Sequence, residues 1–151
     1  MPFGQIEALP HQGVQIAYER IEGAGPTFVW LGGFKSDMAG TKAQTLADWA
    51  AHAGQGLVRF DYSGHGASGG KFEDGSISRW LGDTLAVLDQ LTSGPLVLVG
   101  SSMGGWLMLL VGLASALRIV DALLNMAPGD GAIGTDVIRL WIIHRLEHRF
   151  A

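Results

Sequence analysis

The sequence predicts one α/β domain, in which helices flank a mostly parallel sheet. Short runs of apolar and β-branched residues alternate with helical stretches along the chain, and parallel strands require such crossovers between them. The 151 residues correspond to one domain, since a domain usually contains about 100–150 residues. Hydrophobic residues make up 48% of the chain, which is enough for a core and too apolar for a disordered protein.

The strands are predicted from two kinds of pattern. Alternation of apolar and polar residues predicts a half-buried strand over residues 13–21. Continuous apolar runs, each bounded by turn-forming residues, predict four buried strands. These four strands cover residues 27–31, 57–60, 96–99 and 119–126.

The helices are predicted from apolar residues at helical spacing. This spacing predicts one helix over residues 41–53 and another over residues 104–117. A third helix follows Ser76 or Ser78, because either serine can accept a hydrogen bond from a free N–H of the first turn. The 23 glycines are about twice the usual share, and we expect them to mark tight turns and close backbone contacts between these elements.

Composition argues against several functional classes. The net charge of −4 argues against a nucleic-acid partner, which would favour a basic surface. The absence of cysteine excludes disulfides, thiolate metal sites and a cysteine nucleophile. The longest apolar stretch, residues 106–117, is shorter than the roughly 18 residues of a membrane span. The first 13 residues lack the pattern of a secretory signal, so we expect a cytoplasmic protein.

The segment Gly100-Ser101-Ser102-Met103-Gly104 is the strongest functional signal. It matches G-x-S-x-G with Ser102 at the centre, and it lies between a predicted strand and a predicted helix. That context is typical of a nucleophile elbow, a strained turn that presents a serine hydroxyl at the edge of the sheet. The alternative interpretation is a glycine-rich strand-to-helix turn whose serine has no catalytic role.

A second glycine-rich segment, Leu31-Gly32-Gly33-Phe34, supports this interpretation. An oxyanion hole in such a fold combines the N–H of the residue after the nucleophile with an N–H from the loop after an earlier strand. Those donors would be the backbone N–H groups of Met103 and Phe34. The alternative is an ordinary turn at the end of a strand.

Three segments together resemble the α/β-hydrolase superfamily, and within it the branch of mitochondrial palmitoyl-protein thioesterases and their bacterial relatives. The segments are residues 40–43, 59–64 and 94–106. The resemblance, which extends from about residue 27 to about residue 128, implies a serine hydrolase that cleaves small-molecule or acyl-protein esters or thioesters with a Ser-Asp-His triad. It implies Ser102 as nucleophile, Met103 and Phe34 as oxyanion donors, and no metal or organic cofactor.

The acid and the base of that triad are not identifiable from the sequence. In this fold they follow the nucleophile along the chain, and only residues 103–151 do so here. We therefore expect residues 1–128 to form an α/β-hydrolase core without its C-terminal strands, followed by a divergent tail, residues 129–151, that forms an amphipathic helix. The alternative to an active enzyme is a non-catalytic fragment, and an exposed sheet edge favours self-association.

Three features resemble catalytic or cofactor sites but are interpreted as structural. Residues 144–148 match the zinc-binding pattern H-x-x-E-H, but a charged helix end is the favoured interpretation. Residues 64–69 match G-x-G-x-x-G after a strand, but the next residues lack the helical period that a dinucleotide site requires. Asp61 is interpreted as a hydrogen-bonded organiser of this loop and not as a catalytic acid.

Overall fold

The computed structural model describes residues 4–124, with side chains up to residue 116. Within residues 4–124, five strands and three helices follow one another. They are β1 (Glu7–His11), β2 (Val14–Ile21), β3 (Ala24–Leu31), α1 (Thr41–Ala53), β4 (Gln55–Phe60), α2 (Ile77–Leu91), β5 (Leu96–Gly100) and α3 (Met103–Leu124). A short 3-10 turn, Phe72–Asp74, precedes α2, and the Ser76 hydroxyl caps this helix by accepting from the Arg79 N–H at 3.1 Å.

The five strands form a mixed sheet in the order β1-β2-β4-β3-β5. β3 is parallel to both β4 and β5, whereas β1–β2 and β2–β4 are antiparallel pairs. The predicted α/β class is therefore confirmed, and the antiparallel pairs lie on the N-terminal side of the sheet. β1 was not predicted: it is a short edge strand that contains Pro10, which a central strand would not accommodate.

The helices cover both faces of the sheet. α1 packs on one face through a small cluster that includes Ala47, Ala50 and Leu57. α2 and α3 pack on the other face, where the larger core includes Val87 from α2 and Val111 from α3. β4 and β5 flank β3 on opposite sides. In such sheets ligands bind at the carboxyl ends of the strands where the strand order reverses, which here is the end of β3.

One predicted strand is wrong. Residues 119–124, expected to begin a strand over residues 119–126, instead continue α3, and residues 125–126 lie outside the described part. A short apolar run does not by itself distinguish a buried strand from a buried helix, and here the preceding helix simply extends through it. The predicted tail, residues 129–151, also lies outside the described residues. Among residues 4–124, no helix is both long and apolar enough to cross a bilayer.

The first turn of α3 packs directly against the end of β3. A Cβ atom on Gly104 would clash with the Leu31 carbonyl, and one on Gly100 would lie 2.5 Å from the Gly104 oxygen. Real Cβ contacts are never this short, so both positions require glycine. Two glycines of G-x-S-x-G are thus explained by backbone packing, which fixes the serine turn beside the loop that follows β3.

Replacing Gly104 by alanine tests this packing. We expect Gly104→Ala to lower the free energy of unfolding by about 2 kcal/mol or more, because the added methyl group overlaps backbone that cannot rotate away. Gly105→Ala is the matched control. A Cβ at Gly105 meets its nearest atom at 3.9 Å, and alanine inside a helix is favoured by about 0.5–1 kcal/mol. Urea unfolding of both variants measures the difference, and equal midpoints would contradict the packing argument.

Self-association is expected from exposed apolar surface near the sheet edge. Within residues 4–124, β5 pairs on one side only, with β3. Trp106, Leu109 and Leu113 lie three and four residues apart on α3, and each is at least half exposed. We expect oligomers whose mass rises with concentration in light scattering, and Leu113→Glu should reduce them. Ile6→Glu, at another exposed apolar residue, should not. A monomer at every concentration would contradict this expectation.

Candidate active site

Ser102 lies in the sharp turn between β5 and α3 with a φ of 54°. A positive φ is strained for a residue with a side chain, and it persists only where surrounding structure enforces it. Here the Ser101 N–H donates to the Leu31 carbonyl at 3.1 Å, while the Gly104 and Gly105 N–H groups donate to the Ser101 and Ser102 carbonyls, each at 2.9 Å. These bonds hold the turn on both sides of the serine.

Met103 begins α3 immediately after the serine. The first N–H groups of a helix have no acceptor within the helix, and they lie at its positive end. The Met103 side chain is buried in the large core. Burial of this side chain fixes the orientation of the helix start, and therefore of the N–H that it presents.

The β3–α1 loop, residues 32–40, runs beside Ser102. A Cβ on Gly33 would lie 3.5 Å from the Ser102 Cβ and 3.4 Å from the Ser101 carbonyl oxygen. The loop that carries Phe34 therefore lies beside the serine turn. The Phe34 ring is 55% exposed and packs edge-on against Phe72, with ring centroids 5.1 Å apart.

A buried ion pair holds the far end of the β3–α1 loop. Arg59 on β4 is opposite Glu19 on β2, and the two side chains form a buried salt bridge. The Arg59 guanidinium also donates to the Met38 carbonyl at 2.9 Å. The Met38 N–H donates to the Asp61 carboxyl at 2.7 Å, and the other Asp61 oxygen accepts from the Ala67 N–H at 2.8 Å. Asp61 therefore organises two loops, as predicted.

Two further side chains hold the near end of the same loop. The Tyr62 hydroxyl donates to the Gly32 carbonyl at 3.0 Å, and the Lys35 N–H donates to Nε2 of His65 at 3.2 Å. Burial, followed by the charge of Asp83, raises the pKa of Tyr62, so its hydroxyl stays neutral and remains a donor. The anchor segment, residues 59–65, thus fixes the β3–α1 loop at both ends.

The sequence did not identify Arg59, Tyr62 and His65 as determinants of the site. The available signal was their position, because polar residues that follow a buried strand lie at the edge where the other loops meet. Their partners, however, are 21–30 residues away along the chain. Local periodicity in the sequence does not indicate which distant residues pair.

None of the histidines that the structure describes forms a hydrogen bond with Ser102. His65 uses Nε2 for the Lys35 N–H and Nδ1 for the Ser63 carbonyl. His52 contacts the Asp48 carbonyl at 2.7 Å, and Nε2 of His11 lies 3.8 Å from Asp83. Within residues 4–116, therefore, no imidazole is placed as a base for the serine. His144 and His148 of the H-x-x-E-H pattern lie outside the described residues.

The glycine-rich loop over residues 64–69 is closed on itself. The Gly64 N–H donates to the Gly69 carbonyl, and the Gly69 N–H donates to the Gln15 carbonyl, both at 2.8 Å. A three-residue 3-10 turn follows, and not the long helix whose start binds a pyrophosphate. An open cleft of about 340 Å³ lies beside this loop, lined by residues that include Lys35, Phe72 and Glu73, and it does not include Ser102.

Comparison with known families identifies the fold. The model of the alpha/beta hydrolase family matches residues 24–150. The chain belongs to this family. Among solved structures, alpha/beta hydrolase domain-containing protein 10 from mouse is 36% identical, with a TM-score of 0.72 over 74% of this chain and 45% of that one. A putative hydrolase from Agrobacterium vitis is 45% identical, with a TM-score of 0.64 over 85% and 48% of the two chains.

Curated relatives of this α/β hydrolase are named mitochondrial palmitoyl-protein thioesterase ABHD10. The Homo sapiens protein is 40% identical over 120 residues, and the Rattus norvegicus protein is 39% identical over 119 residues. The match covers 80% and 78% of this chain, but 39% and 40% of those proteins. The chain therefore spans about two fifths of the length of these relatives.

The expected cytoplasmic localisation is wrong by this comparison, because the curated relatives are named mitochondrial. The physical reason is that targeting information lies in segments separate from the folded domain. Core packing and surface charge of the domain contain no targeting information. The predicted resemblance to the thioesterase branch, in contrast, is confirmed.

Titration of Asp61 tests the anchoring of the loop. Burial raises its pKa above the usual 3.8, although the Ala67 and Met38 N–H groups lower it. Because the folded pKa lies above the unfolded value, the stability due to this group is fully present below pH 3.8 and is lost as the pH rises through the folded pKa. The free energy of unfolding, relative to Asp61→Asn, should fall over that range. A difference that is constant with pH would contradict the raised pKa.

Proposed function

We propose that this chain carries the nucleophile and oxyanion donors of a serine hydrolase that cleaves acyl esters or thioesters. Ser102 is the nucleophile, and the N–H groups of Met103 and Phe34 are the oxyanion donors. The observation that carries the proposal is the strained φ of 54° at Ser102, in a turn between strand and helix that lies against Gly33. Such strain at an exposed junction is typical of catalytic positions.

The chemistry follows from these groups. The Ser102 Oγ attacks the acyl carbonyl as a base removes the hydroxyl proton, and the carbonyl oxygen becomes an oxyanion. Two backbone N–H groups stabilise that charge without reorganising. The C–S or C–O bond then breaks, the thiol or alcohol leaves with the proton, and an acyl-serine forms. Water hydrolyses this intermediate to the free acid and restores the serine, so the reaction requires no metal or organic cofactor.

The substrate class is inferred from the relatives and from exposed apolar side chains. The curated relatives are named palmitoyl-protein thioesterases, which supports a long acyl chain on a thiol as one substrate. Phe34 and Trp106 are each more than half exposed. Trp106 lies one helical turn after Ser102, where its ring can contact an acyl chain. The proposed substrates are thus small-molecule or protein acyl esters or thioesters.

The base and the acid of the triad are proposed to lie outside residues 4–116, since no histidine described there hydrogen-bonds to Ser102. The same observation favours a second candidate, a chain that retains the serine turn but hydrolyses nothing because it contains neither group. On this view residues 1–128 form a core without its last strands, and residues 129–151 are a divergent tail. The two candidates differ in turnover and share the Ser102 turn.

Covalent labelling tests the nucleophile. A fluorophosphonate probe should label the 151-residue chain at one serine, and Ser102→Ala should abolish the label. If residues 117–151 supply no base, labelling should be slow, because only the oxyanion donors and binding then contribute, and in serine proteases these leave a residual acceleration of about 10³–10⁴ over water. Mass spectrometry of the labelled peptide identifies the residue.

Ser101→Ala is the matched control for this experiment. Ser101 is adjacent to Ser102 but contributes only its backbone to the turn, so its variant should be labelled at the rate of the unsubstituted chain. A label that persists in Ser102→Ala would disprove the assignment. Turnover of a short acyl thioester would favour the first candidate, and labelling without turnover would favour the second.

A further inference from the structure

We propose that His65 is a positioning residue for the oxyanion site: as a neutral imidazole it holds the peptide between Phe34 and Lys35 in one orientation. This inference rests on the proposed function, since it concerns the loop that provides the Phe34 N–H. His65 follows β4, whereas Phe34 follows β3, and the two side chains belong to the same aromatic cluster with Phe72 and Trp80.

The hydrogen bonds of His65 define its protonation state. The backbone N–H of Lys35 can only donate, so the Nε2 that it meets at 3.2 Å carries a lone pair. The Ser63 carbonyl can only accept, so the Nδ1 that it meets at 3.2 Å carries the proton. Both bonds are satisfied by a neutral imidazole in one tautomer. A protonated imidazole would present an N–H to the Lys35 N–H and lose this bond.

The peptide that His65 holds is under backbone strain. Residues 33–36 form a turn in which the Ser36 N–H donates to the Gly33 carbonyl at 3.1 Å. Lys35, the third residue of that turn, has a φ of 57°, a conformation that favours glycine. Rotation of the central peptide, between Phe34 and Lys35, would relax this strain into the more common turn. The bond to His65 opposes that rotation.

The effect of this bond reaches the proposed oxyanion donor through one residue. Phe34 lies between Gly33, which contacts the Ser102 turn, and Lys35, which His65 holds. Rotation of the peptide after Phe34 changes the backbone dihedral angles of Phe34. Oxyanion donors act only when they are fixed at the position where charge develops, and shifts of about 1 Å reduce catalysis strongly. His65 therefore acts through Phe34 and does not itself touch the substrate.

The contacts of His65 allow the effect of its hydrogen bond with Lys35 to be tested separately from the effect of its ring packing. Its ring contacts those of Tyr62, Phe72 and Trp80 at centroid distances of 5.1–5.5 Å. The Ser63 carbonyl also accepts from the Trp80 indole at 3.0 Å, so it keeps a partner without His65. Removing the imidazole nitrogens while keeping a ring would therefore leave only the Lys35 N–H without its partner.

Two substitutions at this position have opposite effects on ring and acceptor. His65→Phe keeps an aromatic ring but has no acceptor, whereas His65→Gln loses the ring but places an amide oxygen within reach of the Lys35 N–H. Each variant is compared with the unsubstituted chain for the rate of fluorophosphonate labelling of Ser102 and for hydrogen exchange of the Lys35 N–H. The same changes at His52, exposed on α1, are the matched control.

We expect His65→Phe to slow labelling about tenfold or more, less than the 10²–10³ lost with an entire oxyanion donor, and to speed exchange of the Lys35 N–H. His65→Gln should restore both values toward those of the unsubstituted chain, even if its melting temperature is lower. Both His52 variants should behave like the unsubstituted chain. The proposal is disproved if Ser102 of His65→Phe is labelled at the rate of the unsubstituted chain while the Lys35 N–H stays protected from exchange. It is also disproved if the rate of labelling follows the melting temperature across the variants.

Failure of the proposed function gives a different result. In that case Ser102 is not labelled in the unsubstituted chain, which overturns the hydrolase assignment directly. The exchange of the Lys35 N–H is independent of reactivity, so it still decides whether His65 holds the loop. Protection lost in His65→Phe and retained in His65→Gln supports the hydrogen bond, and unchanged protection in both variants overturns it.

Discussion

The carbonyl of Leu31, at the end of β3, lies against the backbone of Gly104 in the first turn of α3. The same carbonyl accepts a hydrogen bond from the Ser101 N–H. One peptide group therefore contacts the chain both before and after Ser102. Only glycine permits this approach, because any Cβ would overlap backbone that is already fixed by the sheet. The contact places Ser102 and the β3–α1 loop side by side, and the remaining features of the site depend on this placement.

Buried polar groups hold that loop in place, at an energetic cost that their pairing only partly offsets. A buried arginine or aspartate is unfavourable unless its hydrogen-bonding capacity is met. Arg59 meets this condition with Glu19, Gln44 and the Met38 carbonyl, and Asp61 meets it with two backbone N–H groups. The raised pKa of Asp61 shows that burial outweighs these bonds. The buried charge thus lowers the folding stability while it fixes the conformation of the loop, which is typical of sites that must be preorganised.

The described part of this α/β hydrolase contains the proposed nucleophile and the proposed oxyanion donors. The serine turn and the β3–α1 loop meet at the carboxyl ends of β5 and β3. The helices that follow them, α3 and α1, pack on opposite faces of the sheet. His65, which follows β4, uses both of its ring nitrogens in hydrogen bonds, one to Lys35 of the β3–α1 loop and one to the Ser63 carbonyl. A histidine close to a nucleophile in sequence or space is therefore not sufficient evidence for a base, since its lone pair must also be free.

The sequence by itself determined the order of most elements and the position of the serine turn. Within residues 4–124, the three helices and four of the five strands follow from apolar periodicity or from continuous apolar runs, and α1 has the predicted bounds Thr41–Ala53, because these signals lie within a few residues of each other. Only the tertiary structure decided that β1 and β2 pair antiparallel with their neighbours, that α3 continues through residues 119–124, and which side chains hold the loop. The pairs Glu19–Arg59 and Lys35–His65 join residues 40 and 30 positions apart. Such contacts form when the sheet brings distant strand ends together, and no local pattern encodes them.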